Sequence, residues 1–280
     1  MTLNDIYHAI DPVALSLGPL QIRWYGLAYV AGFICAFLVI AKLSQRWKIR
    51  INDDAFFTVV FCVIFGVILG GRLGYVLVYG DGYYLQHPEK ILAFNEGGMS
   101  FHGGLVGVII GGVIAAKITK IPFLTLADMG VVGVPIGLFF GRCANFINGE
   151  LWGAPTDMPW GVVFGGAAGT MPRHPSQLYE ALLEGVVLFI ILFALSRKTP
   201  ARPRGTFFGT FLLFYGLFRF TIEFIRQPDA QIGYLLGTHW FTMGQALSIP
   251  LMVAGVVFLI YAWKTKKPQM GLPDSEIGQS

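Results

Sequence analysis

The run LADMGVVGVPIGLFF, residues 126–140, passes directly into GRCANFINGELWG, residues 141–153, and the reading of this junction decides the fold. The first part, with Phe123 ahead of it, is an apolar stretch of the length that crosses a bilayer, for which about 20 residues suffice. The second part offers an arginine, two asparagines and a glutamate within ten residues. Arg142 and Asn145 stand three apart, on one helical face at the mouth of a span, with Glu150 just beyond. Polar groups at that depth are costly and mark a site.

Outward from this junction, the rest of the chain repeats its apolar half. The 280 residues are 55% hydrophobic and 13% charged, with 24 phenylalanines, 36 glycines and a mean hydropathy of +0.63, which excludes an ordinary soluble domain. The expected fold class is an all-α polytopic membrane protein, a single domain over 1–280 with seven transmembrane helices near 24–43, 56–79, 99–117, 123–141, 176–196, 206–225 and 241–263. Residues 143–175, between the fourth and fifth spans, are Gly- and Pro-rich. They carry Trp152 and Trp160, suited to a membrane interface, and a short strand pattern at 160–164; a small periplasmic cap is expected there. The first 21 residues contain no lysine or arginine and lack the features of a cleaved signal peptide, so the first span is expected to stay attached. The polar tail 268–280 is expected to be a disordered cytoplasmic segment. Cys35, Cys62 and Cys143 lack metal-like spacing and read as unpaired core residues.

A formal charge of +4 could suggest nucleic acid, but the basic residues lie in short loops between spans, where they set orientation instead. Alternate loops place thirteen of the 20 lysines and arginines on one side, with Lys90 the only lysine on the other. The positive-inside rule then puts the N-terminus in the periplasm and the C-terminus in the cytoplasm. Arg23, Arg72, Arg142, Arg219, Arg226, Glu180, Glu184 and Glu223 fall near the outer ends of spans, and all five histidines are on that side too. A channel distributes polar groups through its depth; this concentration at one face points to a site open to the outer leaflet.

Glycines recur every fourth residue in three spans: Gly66, Gly70 and Gly74; Gly103, Gly107 and Gly111; Gly133, Gly137 and Gly141. Small residues at this spacing let helix backbones approach closely. Ser100 to Leu105 places His102 at the start of the third span beside Gly103 and Gly104, whose missing side chains leave room for a substrate near the imidazole. In the sixth span Tyr215, Arg219, Glu223 and Arg226 share one stripe, within which an Arg219–Glu223 ion pair is expected. Gln177, Glu180 and Glu184 repeat the theme in the fifth span as structural partners for arginines. Arginines without lysines in the outward half suit planar, bidentate recognition of phosphate or carboxylate, and a phospholipid headgroup fits that depth. No Gly-x-Ser-x-Gly, phosphate loop or zinc spacing occurs, so no metal is expected.

His102-Gly103-Gly104-Leu105 and Gly141-Arg142-x-x-Asn145-Phe146-x-Asn148-x-Glu150-x-x-Gly153 resemble the signatures of bacterial prolipoprotein diacylglyceryl transferases. Arg23-Trp24-Tyr25-Gly26, the stretch Arg173 to Glu180, and Tyr215-Gly216 through Arg219, Glu223 and Arg226 are similar to that family in order and spacing. The resemblance implies a seven-span enzyme of the bacterial inner membrane that needs no cofactor. It would move the diacylglyceryl group of phosphatidylglycerol onto the lipobox cysteine of a prolipoprotein, releasing glycerol phosphate, with lipid and prolipoprotein as partners and no nucleic acid. Carried over by motif, Tyr25, His102, Arg142, Asn145, Gly153, Arg219 and Glu223 would be functional. The thiol would attack the glycerol carbon bearing the phosphate, His102 taking its proton, Arg142 and Arg219 holding the phosphate, and Tyr25 and Asn145 orienting the headgroup. The rival from another class, a transporter of an anionic lipid, would show repeated halves and charge near the midplane; neither is visible in the sequence.

Overall fold

The computed structural model describes residues 2–17, 20–80, 82–94, 97–199, 201–228 and 233–272. In chain order the elements are α1 (Leu3–Ala9), strands β1 (Val13–Leu17) and β2 (Leu20–Arg23), α2 (Trp24–Trp47), α3 (Asp53–Tyr79), α4 (Tyr83–Gln86), α5 (Phe101–Thr119), α6 (Phe123–Ile147), α7 (Ser176–Glu180), α8 (Leu188–Ser196), α9 (Thr206–Ile222) and α10 (Met243–Thr265). Ala181–Val187, between α7 and α8, winds as a π-helix. Among the described residues, six helical segments are long and apolar enough to cross a membrane: Trp24–Trp47, Asp53–Val78, His102–Thr119, Phe123–Ile147, Ser176–Ser196 and Met243–Thr265. The segment expected over 206–225 leaves the helix at Ile222, so α9 has 17 residues, roughly 25 Å at 1.5 Å per residue against a hydrocarbon core of about 30 Å.

The described residues within Met1–Arg46 and Asp128–Pro268 form one compact unit, and those within Trp47–Ala127 and Gln269–Ser280 a second. In the second unit the expected glycine stripes meet. A Cβ on Gly74 would fall 2.6 Å from the Gly103 Cα, and one on Gly70 would fall 2.8 Å from the Gly107 Cα, so α3 and α5 touch backbone to backbone, which only glycine permits. The Asn52 side chain accepts from the Ala55 amide at 2.9 Å to start α3, and Ser100 accepts from the Gly103 amide to start α5, both answering helix-end donors. Of the tail expected to be disordered, 273–280 lie outside the described residues. The Met270 amide donates to the Thr125 hydroxyl at 3.4 Å and the Leu272 amide to the Arg50 carbonyl at 2.9 Å.

In the first unit α2 meets α6 at Gly32 and Gly137, where a Cβ on Gly32 would lie 3.2 Å from the Gly137 Cα. Asp128, fully buried on α6, accepts from the backbone amides of Gly205 and Phe208, both at 2.7 Å. A carboxylate from one helix thereby caps the N-terminus of another, α9, where charge and dipole agree. Packed at the end of α6 is a small core of Phe146, Val162, Phe164 and Ala168, with Leu3, Tyr7, Trp152 and Leu178 against it. The Tyr7 ring lies edge-on to Phe164 at 5.0 Å and to Phe146 at 5.4 Å, and Asn4 accepts from the Val163 amide at 2.9 Å, so α1 is part of this layer. The strand pattern at 160–164 yields only a bridge from Val162 to Arg173, because its apolar side chains are spent on that core. A two-stranded antiparallel ladder forms instead at β1 and β2, with Leu15 opposite Ile22 and Leu17 opposite Leu20 and a register shift between Val13 and Leu15. Alternating residues around Gly18-Pro19 encode it.

Candidate functional site

Within the first unit, α6, the helix over 176–196 and α9 each bring arginine or glutamate to one buried network. Glu180, fully buried, is its hub. Its Oε1 lies 2.7 Å from Arg219 Nη1 and 3.0 Å from Arg226 Nη1, and its Oε2 lies 2.7 Å from Arg142 Nε. Glu184, also fully buried, stands 3.4 Å from Arg142 Nη2. Glu223 pairs with Arg219 at the expected i,i+4 spacing and lies 3.6 Å from Arg226 Nε. The Thr242 hydroxyl, which also caps α10, donates to its other oxygen.

The local backbone explains this convergence. Glu180 ends α7 and Glu184 sits within the π-helical turns, a wider winding that commonly occurs at functional positions. Both carboxylates reach Arg142 from one side. At the end of α9 the chain turns over Glu223–Ile225 and Arg226 bridges back to Gly153, so α9 supplies Arg219 from its last turn and the two following charges from the turn itself. Gly244 faces the Glu223 carboxylate: a Cβ there would fall 2.6 Å from Oε1 and 2.7 Å from Oε2.

Three guanidinium groups and three carboxylates make the network formally neutral, which offsets the cost of burying each ion alone. The burial is uneven. The Glu180 and Glu184 side chains are fully enclosed, whereas those of Arg142 and Arg219 keep 16% of their surface exposed. The carboxylates therefore hold the guanidinium groups within the network, while part of each of these two arginine side chains stays exposed.

The Asn145-to-Gly153 signature forms the end of α6 and the turn after it. Asn145 and Asn148 donate to one oxygen of Glu150 at 3.0 and 3.3 Å, while the Glu150 amide donates to the Asn145 carbonyl. Gly149 has φ +67°, the left-handed conformation that ends helices and that glycine adopts without strain. Gln177 donates to the Glu150 carbonyl at 2.6 Å, and Ser176 to the Leu151 carbonyl at 3.0 Å. Gly153 has no space for a side chain: a Cβ would meet the Ile225 carbonyl oxygen at 2.7 Å and the His174 carbonyl oxygen at 2.8 Å.

Tyr25 is half-buried on the first turn of α2, in the same unit as the network. His102 is exposed on the first turn of α5, in the other unit. Gly103 packs on Gly70 and Gly74, where a Cβ would clash, so helix packing requires it, whereas a Cβ on Gly104 would make only ordinary contact with Val67. Arg173 donates to the carbonyls of Ala168 and Gly153 and lies 4.6 Å from the Trp152 ring centroid, tying these three residues together. His174 meets the Tyr179 hydroxyl at 3.2 Å, and burial pulls its imidazole pKa below the ordinary range. Arg226, Thr242 and Gly244 were not among the expected site residues. Glu180 and Glu184 were expected as partners for arginines, and that is where they stand; their i,i+4 spacing inside an apolar run is the signal.

The model of the family described as prolipoprotein diacylglyceryl transferase matches residues 12–261. The chain is 52% identical over 257 residues, 92% of its own length and 97% of the relative's, to the phosphatidylglycerol–prolipoprotein diacylglyceryl transferase of Geobacter sulfurreducens. It is 46% identical to the protein of the same name from Rhodopseudomonas palustris, over 96% of each chain. Against that from Methylococcus capsulatus it is 48% identical over 92% of this chain and 97% of the relative.

Proposed function

The chain belongs to the prolipoprotein diacylglyceryl transferase family, and from that membership we propose that it transfers the diacylglyceryl group of phosphatidylglycerol to the lipobox cysteine thiol of a prolipoprotein. A sulfur–carbon bond forms at the glycerol carbon that carries the phosphate, and the carbon–oxygen bond to that phosphate breaks. Glycerol phosphate departs with the electron pair, and the thiol proton passes to a base. Bonds and charge balance without a cofactor. The observation that carries the reading is the buried hub at Glu180, which fixes Arg142 and Arg219 while each keeps an exposed part. Preorganised guanidinium groups of this kind stabilise charge that develops on a leaving phosphate.

In this proposal Arg142 and Arg219 bind the phosphate, Glu223 and Glu180 hold Arg219, and Tyr25 and Asn145 orient the headgroup. Gly153 lets the chain around 173–176 and 225–226 close behind the signature turn, and Gly103 and Gly104 keep the surroundings of His102 free of bulk. His102 takes the thiol proton. General acid–base help typically contributes about 10² to 10⁴ in rate, which sets the scale for His102→Gln. Following lipid attachment to a lipobox peptide across pH, with lipid binding measured in parallel, tests this. Slow turnover that recovers as pH rises toward the free thiol's pKa of about 8.5, with lipid binding retained, is expected; unchanged turnover at neutral pH removes His102 from the reaction.

We further propose that α9 is a seventh crossing, that both units serve one membrane-embedded transferase, and that the enzyme sits in the bacterial inner membrane. The N-terminus and the layer around 143–175 then face the periplasm, and the C-terminus the cytoplasm. Asp157 and Lys198 are both exposed and make suitable reporters. In a background lacking the three native cysteines, an impermeant reagent on spheroplasts should label a cysteine at 157 and spare one at 198. The reverse pattern overturns the orientation.

A further inference from the structure

A second site lies in the first unit, at the other end of α9 from the arginine–glutamate network. A cavity of about 400 Å³ opens there between the start of α9 and the end of α10, lined by Arg202, Pro203, Thr206, Leu259, Trp263 and Lys266. Along α9 the distance from Thr206 to Ile222 is roughly 24 Å at 1.5 Å per residue, so this cavity does not belong to the site described above.

The lining has two halves. Leu259, Pro203 and the ring of Trp263 form an apolar wall, and Trp263 is 73% exposed at a helix end, where indole suits the boundary between hydrocarbon and headgroups. Arg202 and Lys266 supply positive charge to the same space. Their neighbourhood reinforces it: residues 197–205 and 261–267 carry Arg197, Lys198, Arg202, Arg204, Lys264, Lys266 and Lys267 and no acidic residue. The two stretches are joined where the Arg204 amide donates to the Lys267 carbonyl at 2.9 Å. The Lys267 ammonium rests 5.9 Å from the Tyr261 ring centroid. The acidic group from another element is Asp128, and it caps the Gly205 and Phe208 amides. The dipole at the start of α9 is thus already answered, and attraction in the cavity comes from the basic side chains.

We propose that this cavity binds the headgroup of an anionic phospholipid from the leaflet that faces it, with the phosphate between Arg202 and Lys266 and the glycerol and upper acyl carbons against Leu259, Pro203 and Trp263. At roughly 30 Å³ per displaced water, its volume equals about a dozen waters, room for a phosphate ester and its glycerol. Basic pockets between membrane helices recognise anionic headgroups in this way. The occupant is a bound lipid and is not consumed.

The test uses the full chain in vesicles and reads Trp263 as the fluorescence difference between the wild type and Trp263→Phe. Vesicles contain brominated phosphatidylglycerol diluted in phosphatidylcholine, or brominated phosphatidylcholine diluted in phosphatidylglycerol. The anionic quencher is expected to be preferred at Trp263, by roughly five-fold for each basic side chain engaged. Arg202→Gln with Lys266→Gln should erase the preference while leaving diacylglyceryl transfer unchanged. Lys266→Gln alone should reduce it, which keeps the test informative if the double variant is unstable. Equal quenching by the two lipids, or a preference that survives both substitutions, overturns the proposal. So does displacement of the preference by soluble glycerol phosphate, which would assign the cavity to a free phosphate ester. Because the readout is quenching rather than turnover, its failure is distinct from a failure of the transferase reading.

Discussion

Arg72 gives its guanidinium to backbone carbonyls of Ile91, Lys90, Gly97 and Gly98, whereas Arg142, Arg219 and Arg226 give theirs to the carboxylates of Glu180, Glu184 and Glu223. In the sequence these four arginines look alike, each near one end of an apolar run. Arg72 is 1% exposed and has Tyr75 and Tyr84 rings within 5.9 and 5.5 Å of it. All three of its guanidinium nitrogens donate to these carbonyls, which pins Lys90, Ile91, Gly97 and Gly98 onto α3, so it acts as a staple. The network in the other unit is held from one side and keeps part of Arg142 and Arg219 exposed. What separates a structural arginine from a candidate ligand is therefore what saturates its donors and what surface is left, rather than burial alone.

The comparison breaks most severely at the hub. Glu180→Gln removes the carboxylate that three guanidinium groups share, and stranding buried charges costs about 3 to 5 kcal/mol. The variant should lose thermal stability in detergent and nearly all transfer of diacylglycerol to a lipobox peptide. A Glu180→Gln protein with wild-type melting and turnover would mean that the network does not depend on its centre.

A paired substitution sharpens the contrast. Arg142→Lys keeps a charge but loses the planar fork. It should cost about one to two decades in turnover, the equivalent of 1.5 to 3 kcal/mol in charge-assisted bonding, with Arg142→Ala worse still. Arg72→Lys cannot span four carbonyls with three donors. It should lower stability by about 1 to 3 kcal/mol, the cost of leaving a buried acceptor unsatisfied, while the folded fraction turns over normally. Crossed outcomes, a stability defect at 142 and a turnover defect at 72, would reverse the two assignments.

The smallest expected effect comes from Gly244→Ala, whose methyl would fall against the Glu223 carboxylate. Overpacking of this kind costs about 1 to 3 kcal/mol. Gly130→Ala, on α6 with nothing within 4 Å of its Cβ position, is the control and should be neutral or slightly stabilising. Equal behaviour of the two variants in a melting and activity series would separate Gly244 from the network.

Much of this was legible in the chain. Apolar runs and glycine spacing announce helices and the α3–α5 contact, because helix period and the need for close approach are local properties. The Arg219–Glu223 pair follows from i,i+4 spacing alone. The hub was less legible. That Glu180 collects Arg142, Arg219 and Arg226 depends on the π-helical turns after it and on the chain leaving α9 at Ile222, neither of which has a residue pattern of its own. The role of α1 was missed because Tyr7 and Asn4 find their partners more than a hundred residues away, at Phe164 and Val163. The β1–β2 hairpin had a local signal in its alternation, overshadowed by the apolar run that follows.

The π-helical stretch also bears on how the protein is made. Arg142 and the Glu184 it faces are 42 residues apart in the chain, and at the usual elongation rate of about 5 to 20 residues per second the glutamate follows the arginine by roughly 2 to 8 s. During that interval α6 is complete while its counter-charge is still inside the ribosome. The polar end of α6 must wait in a hydrated setting, and the arrival of the helix over 176–196 marks the moment at which that end can settle. By contrast, α3 and α5 meet through glycines with no charge to neutralise at their contact, so that pair is free to assemble as soon as both helices have emerged.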